Sequence, residues 1–271
     1  MYPEPLFHLW GRGVNIYLIM ALLAPCIAAW VCYRLCRERF PGLEQQVLVR
    51  CIVNILTIAG LAGLAGGRLF CFFGRVLEHP GLLVTFSLAS LFSGCMTVMG
   101  GVVAALPAVW FYLGRSSSTR DIRPAFFDLF FPSLALFQSI SRTGCLAAGC
   151  CYGRPAYDLP WAITFSDSRT ACAFHGIPVH PTQIYLMLGH FMLFLLLYYL
   201  ARKPALIGRL AGVYLVGAGL LRFVVEFYRG DFLLLSGLLS YYQWICLAFI
   251  AVGTVILSTG QREEKQAGEA P

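Results

Sequence analysis

The chain has 271 residues, of which 59% are hydrophobic and 12% charged, and its mean hydropathy is +0.73. Soluble globular domains are about a quarter charged, so there is too little polar surface here to cover a water-soluble core, and a soluble enzyme or soluble binding module is excluded. The formal net charge of +7 bears on loop orientation and on anionic lipid headgroups rather than on nucleic acid.

Seven apolar segments follow in chain order, at 14–33, 48–73, 84–113, 125–149, 183–201, 206–226 and 238–258, and runs of this kind read as membrane spans. "MYPEPLFHLWGRG" precedes the first segment and has no basic n-region. The segment ends in "VCYRLCRERF" with no small-residue cleavage pattern, so it reads as a retained span. The glycines of "GLAGLAGG" and "GVVAAL" in the second and third segments suit close helix packing. Pro132, Gln138, Ser139, Ser141 and Arg142 interrupt the fourth. The sixth closes in "RFVVEFYRGD", and the aromatics of "DFLLLSGLLSYYQW" suit an interfacial belt. The pattern predicts an all-α polytopic membrane protein with a single seven-span domain over 1–258. A polar tail over 259–271, ending in "QREEKQAGEAP", is expected to be disordered.

Basic residues orient the spans. The loops at 33–50, 113–124 and 201–209 and the tail together carry twelve Lys and Arg, against five on the other side (Arg12, Arg75, Arg154, Arg169 and Arg229). The positive-inside rule then places the N-terminus outside and the C-terminus in the cytoplasm. Arg68, Arg142 and Arg222 fall within or at the ends of spans, where charge is costly and marks candidate sites. Glu226 lies one turn beyond Arg222 on the same helix face. A structural pair, or arginines snorkelling to headgroups, would explain any one of these. Three arginines with one acid point instead to a buried anion, and at that depth the abundant one is a lipid phosphate. Arginine suits it, because its planar guanidinium stays charged and grips two oxygens.

Of the eleven cysteines, Cys26, Cys51, Cys71, Cys95 and Cys246 sit in apolar runs and read as packing residues. Cys145, Cys150 and Cys151 form a separate cluster with three readings. The preferred one is a disulfide from Cys150 or Cys151 to Cys172 in the same outside loop. A shared metal ion ranks below it, because Cys150 and Cys151 are adjacent and C-x4-C-C is not a structural zinc spacing; no metal is expected. A nucleophilic thiol beside Arg142 ranks last.

"GGRLF" at 66–70, "SGCMTVMGGVVAAL" at 93–106, "SRTGCLAAGCCYGRP" at 141–155, "HPTQIY" at 180–185 and "RFVVEFYRGD" at 222–231 occur in this order. Together they resemble the prolipoprotein diacylglyceryl transferases of bacterial inner membranes, and the resemblance covers nearly the whole chain. It implies transfer of a diacylglyceryl group from phosphatidylglycerol to the lipobox cysteine of a signal-peptide-bearing preprolipoprotein, with glycerol phosphate leaving. Phosphatidylglycerol is then a co-substrate, with no metal or organic cofactor. The resemblance also implies that Arg142, Arg222, Glu226 and Arg229 match the family's arginines and acid. Gly153 matches a late glycine of its signature and Tyr17 its first-helix tyrosine, while Gln183 and Tyr185 fall in its HP-x-Q-x-Y element. Arg142 and Arg222 would hold phosphate, Glu226 would orient Arg222, and Arg229 would guide the headgroup.

Four positions depart from the family pattern. Met99 stands where a histidine precedes Gly-Gly, and methionine accepts no proton. Cys145 and Ala148 replace two asparagines, and Cys150 replaces a glutamate. One reading moves the base to His180, whose imidazole titrates near neutrality, with His175 as a weaker candidate; a helix-start hydrogen bond beside Pro181 would explain His180 equally well. The alternatives are a diverged lipid-binding relative acting on another acceptor, a non-catalytic accessory protein of lipoprotein maturation, and a thiol-based redox or metal-handling protein.

Overall fold

The apolar segments become helices. The computed structural model describes residues 7–9, 12–78, 97–115, 120, 122–203, 206, 208–230, 234–235 and 239–268. The helices are α1 (Ile16–Arg39), α2 (Gln45–Glu78), α3 (Val98–Arg115), α4 (Arg123–Asp128), α5 (Phe130–Ala148), α6 (Thr182–Ala201), α7 (Leu210–Glu226) and α8 (Tyr241–Gly268). The protein is therefore all-α, and α1, α2, α3, α6 and α8 are each long and apolar enough to cross a membrane. The described residues also form three two-stranded antiparallel pairs: β1 (Phe7–Leu9) with β2 (Arg12–Val14), β3 (Ile163–Thr164) with β4 (Pro178–Val179), and β5 (Leu234–Leu235) with β6 (Leu239–Ser240).

Three expectations are corrected. The fourth predicted span is two helices, α4 and α5, meeting at Leu129. Pro132 explains the break, since it has no N–H to donate and its ring crowds the carbonyl four residues back, that of Asp128. The polar tail continues α8 as helix to Gly268 rather than starting as disordered chain. Cys71, expected as a packing residue, is disulfide-bonded. Cys95 and residues 84–96 of the third predicted segment lie outside the described residues. Cys51 and Cys246 are buried thiols as expected, and Cys26 is an exposed one.

The chain forms two compact units, residues 36–127 and residues 1–35 with 128–271. In the first, α2 packs along α3. A Cβ on Gly66 would stand 2.3 Å from that of Ala104 and 2.6 Å from the Gly100 carbonyl oxygen, so only glycine lets the backbones approach so closely. Asn54 donates a 2.8 Å hydrogen bond to the Tyr112 hydroxyl across the same seam.

In the second unit, α5 packs on α6, α6 on α7, and α7 on α8. Ser139 of α5 donates to the Met187 carbonyl of α6, and Tyr214 of α7 donates to Gln138 of α5. The start of α7 is held by Asp128, whose buried carboxylate accepts from the backbone N–H groups of Gly208, Leu210 and Ala211 at 2.7–3.1 Å. A carboxylate there satisfies orphan donors and opposes the positive end of the helix dipole. Large apolar side chains such as Leu22, Trp30, Leu61, Phe111, Met192 and Val255 are exposed along the long helices, as a hydrocarbon surround requires.

Gly66→Ala is expected to force α2 and α3 apart and cost about 1–3 kcal/mol, read as a lower unfolding temperature in detergent. Asp128→Ala, which leaves three backbone donors without a carboxylate, is expected to cost about 2–3 kcal/mol in the same measurement.

Candidate functional site

The arginine at the end of α7 is held from two sides. Arg222 forms an ion pair with Glu226 one turn on, and its guanidinium lies 5.3 Å from the centre of the Tyr242 ring. Glu226 is only 2% exposed, and its second carboxylate oxygen accepts a 3.0 Å hydrogen bond from the Ser240 hydroxyl. Ser240 stands just before α8, and Gln243 follows three residues later. The Gln243 side chain accepts from the Ser240 N–H, and the Ser240 hydroxyl accepts from the Gln243 N–H. This reciprocal capping box fixes the start of α8, so the same serine caps one helix and holds the acid of another. The S-x-x-Q spelling was readable in the sequence but went unused there.

Arg142 lies one turn before Cys145 near the end of α5. It is half-buried and makes no hydrogen bond or ion pair among the described residues. The charges of Glu226, Arg229 and Arg142 all act on Arg222. Three guanidiniums and the Glu226 carboxylate thus share one neighbourhood. Tyr17 of α1 belongs to it, since a Cβ on Gly144 would lie 3.4 Å from the tyrosine ring, and Arg142 and the three clustered thiols all interact with Tyr17. Arg68 and Met99 belong to the other unit, in α2 and in the first turn of α3.

The loop after α5 is ordered by glycines and a small core. Gly149 ends the helix in the left-handed region (φ +69°), where a side chain would also strike Thr170. Phe165, Cys172 and Val179 form a buried core with Tyr152, Ile163 and Phe174 packed against it. The Gly153 N–H donates to the His180 carbonyl, Arg154 to Tyr228, and Gly230 to Tyr152. A Cβ on Gly153 would stand 2.5 Å from both the His180 Cβ and its carbonyl oxygen. Gly153 is therefore a backbone-approach residue that ties the loop to Arg229, with which it forms an antiparallel bridge.

The HP-x-Q-x-Y element divides between two tasks. Thr182 and Gln183, in the first turn of α6, donate to the carbonyls of Cys151 (2.6 Å) and Cys150 (2.8 Å). The Gln183 Oε1 is buried with no hydrogen-bond partner among the described residues. His180 and Tyr185 lie apart from this, in an aromatic group with Tyr228. The Tyr185 hydroxyl accepts from Trp161, and His180 Nδ1 lies 3.3 Å from it. Burial, then the charge of Arg154, hold the His180 imidazole below its ordinary range. His175 is exposed and pairs through its backbone with Phe165.

The sequence reading missed His190. It is 4% exposed in α6, and its Nδ1 donates to the Leu186 carbonyl at 2.7 Å. That bond fixes the tautomer and leaves Nε2 as an acceptor with no partner among the described residues. Arg142 and Arg222 are the charges that act on it. One histidine among apolar residues of a span has no local motif, which is why it escaped notice.

The expected disulfide is not formed. Cys150, Cys151 and Cys172 are all free, and Cys172 is buried in the loop core. Instead the sulfurs of Cys145, Cys150 and Cys151 lie within 4.8 Å of one another. Adjacency was expected to make Cys150 and Cys151 poor co-ligands for one metal ion. Cys151 overcomes it by adopting φ +60°, a left-handed conformation that costs a residue with a Cβ roughly 1–2 kcal/mol. The neighbouring Cys145 and Cys150 side chains pull Cys151 below the ordinary thiol range; burial opposes this, and the charges of Arg142 and Arg229 assist it.

A family model described as prolipoprotein diacylglyceryl transferase matches residues 4–259. The chain is similar to a phosphatidylglycerol–prolipoprotein diacylglyceryl transferase of Clostridium tetani, 31% identical over 93% of this chain and 96% of that protein. Proteins of the same name from Polynucleobacter asymbioticus (36% identical, 90% and 91% covered) and Cupriavidus metallidurans (31% identical, 97% and 95% covered) are also similar.

Ser240→Ala removes the cap of α8 and the donor to Glu226 together. It is expected to cost about 1 kcal/mol or slightly more, measured by thermal unfolding, and Ser240→Thr to restore most of that loss.

Proposed function

The chain belongs to the prolipoprotein diacylglyceryl transferase family, and from that premise we propose that it moves the diacylglyceryl group of phosphatidylglycerol onto the lipobox cysteine of a preprolipoprotein. The setting is a bacterial inner membrane, with the N-terminus outside, the C-terminus in the cytoplasm and one seven-span domain. The observation that carries the reading is Arg142: it is half-buried and makes no hydrogen bond or ion pair among the described residues, while Arg222 beside it is paired with Glu226. A phosphate diester headgroup supplies an anionic partner, and guanidiniums bind it with paired hydrogen bonds.

In this reading Arg142 and Arg222 hold the phosphate and Glu226 fixes the angle of Arg222. Arg229, tied to Gly153, steers the headgroup. Gln183 Oε1 accepts a headgroup hydroxyl, and Tyr17 closes the site from α1. Tyr185 positions its end of the loop through Trp161 and His180. The acceptor sulfur attacks the glyceryl carbon that bears the phosphate. A C–S bond forms, the C–O bond breaks, and glycerol phosphate leaves with the electron pair. Cations already in place stabilise the charge that builds on the leaving oxygen, usually the largest catalytic contribution. Phosphatidylglycerol is the co-substrate, and the scheme uses no metal or organic cofactor.

The thiol proton needs an acceptor. His180 has Arg154 as its neighbouring cation, whereas both phosphate arginines act on His190, whose Nε2 is a free acceptor. Reach comes before basicity in choosing a base, so His190 takes the role first assigned to His180.

Purified protein given labelled phosphatidylglycerol and a lipobox peptide is expected to form the thioether product. Arg142→Ala and Arg222→Ala should each lower the rate by about 10²–10³-fold. Absence of turnover with lipid binding retained would reject the transferase reading. His190→Gln is expected to depress the rate far more than His180→Gln, and the opposite order returns the base to His180.

A further inference from the structure

The three clustered thiols take no part in that scheme, yet the chain is shaped to bring them together. The carbonyls of Cys150 and Cys151 are each pinned by a side chain of the first turn of α6, and Cys151 adopts a backbone conformation that residues with a Cβ rarely adopt. Strain of this kind, held in place by surrounding hydrogen bonds, collects at functional sites. We propose that Cys145, Cys150 and Cys151 form a three-thiolate binding site for a soft d10 metal ion, and that the ion it fits best is Cu(I).

The distances suit the chemistry. Metal–thiolate bonds of roughly 2.3 Å arranged in a trigonal plane put the sulfurs about 4 Å apart, and all three Sγ atoms here lie within 4.8 Å of one another. Only a small contraction separates the thiols from a closed site. Thiolates select Cu(I) and Zn(II) over harder ions. Structural zinc takes four protein ligands, and among the described residues the group contains no fourth Cys, His, Asp or Glu. Trigonal sulfur coordination is natural for Cu(I). Charge points the same way. Three thiolates around a monovalent ion leave two negative charges, and two guanidiniums, Arg142 and Arg229, act on Cys151. Each metal–sulfur bond replaces an S–H bond, so loading releases thiol protons to solvent and changes no oxidation state. The site stands whether or not the chain transfers lipid.

Full-length protein in detergent, reduced and kept anaerobic, can be titrated with Cu(I) against a chromogenic Cu(I) chelator. The expected result is one tightly held Cu(I) per chain with three sulfur neighbours by X-ray absorption. Loading should shield Cys145, Cys150 and Cys151, but not exposed Cys26, from maleimide. Cys145→Ser, Cys150→Ser and Cys151→Ser should each weaken binding about tenfold or more. Cys172→Ser and the double variant Cys32→Ser/Cys36→Ser should leave it unchanged. Failure of the wild-type chain to compete with the chelator overturns the proposal, and that measurement does not depend on any variant folding. Binding that survives the cluster substitutions overturns it as well. So does a disulfide between two of the three thiols in anaerobically purified protein, or Zn(II) held more tightly than Cu(I).

Discussion

Three like charges brought close together in an apolar bundle are the constraint on which the second unit is built. Arg142, Arg222 and Arg229 lie within electrostatic reach of one another, and Glu226 pairs with Arg222. Where the dielectric is low, like charges repel strongly, so holding them together needs support from elsewhere. Much of the local architecture supplies it. Ser240 and Gln243 fix Glu226, Glu226 and the Tyr242 ring fix Arg222, and the Gly153 backbone runs beside that of Arg229. The arrangement fixes Arg222 through contacts from α8 and ties Arg229 to the loop after α5.

The loop between α5 and α6 is the second support. It is long and irregular, yet it carries its own apolar core and is laced to the chain after α7 by backbone hydrogen bonds. Gly153 and Gly230 allow that lacing, because a side chain at either would overlap a neighbouring carbonyl. The loop thus packs as a small cap, and its backbone geometry helps to position Arg229.

Composition and apolar runs were enough to read the long helices, and the four-residue spacing of Arg222 and Glu226 was enough to read their pairing. The short-range grammar that was present but unused is also clear. Ser240-x-x-Gln243 spells a capping box, and Pro132 marks the break at Leu129. Other features have no local signature. The convergence of Cys145, Cys150 and Cys151 depends on one positive φ, which sequence does not display at a non-glycine residue. His190 becomes interesting only when Arg142 on α5 and Arg222 on α7 are brought to it through space. Asp128 caps a helix 80 residues away in the chain, and the bond at Cys71 joined a residue that looked like ordinary packing.

The double duty of Ser240 has a dynamic corollary. Helix ends open and close more readily than helix middles. When the first turn of α8 frays, the hydroxyl that caps it and holds Glu226 is lost, and the Tyr242 ring moves from the Arg222 guanidinium at the same time. The orientation of the central arginine is therefore not an independent property of α7. It is a readout of a local unfolding equilibrium on a different helix, and amide exchange at Gln243 would report how often the grip on Arg222 is released.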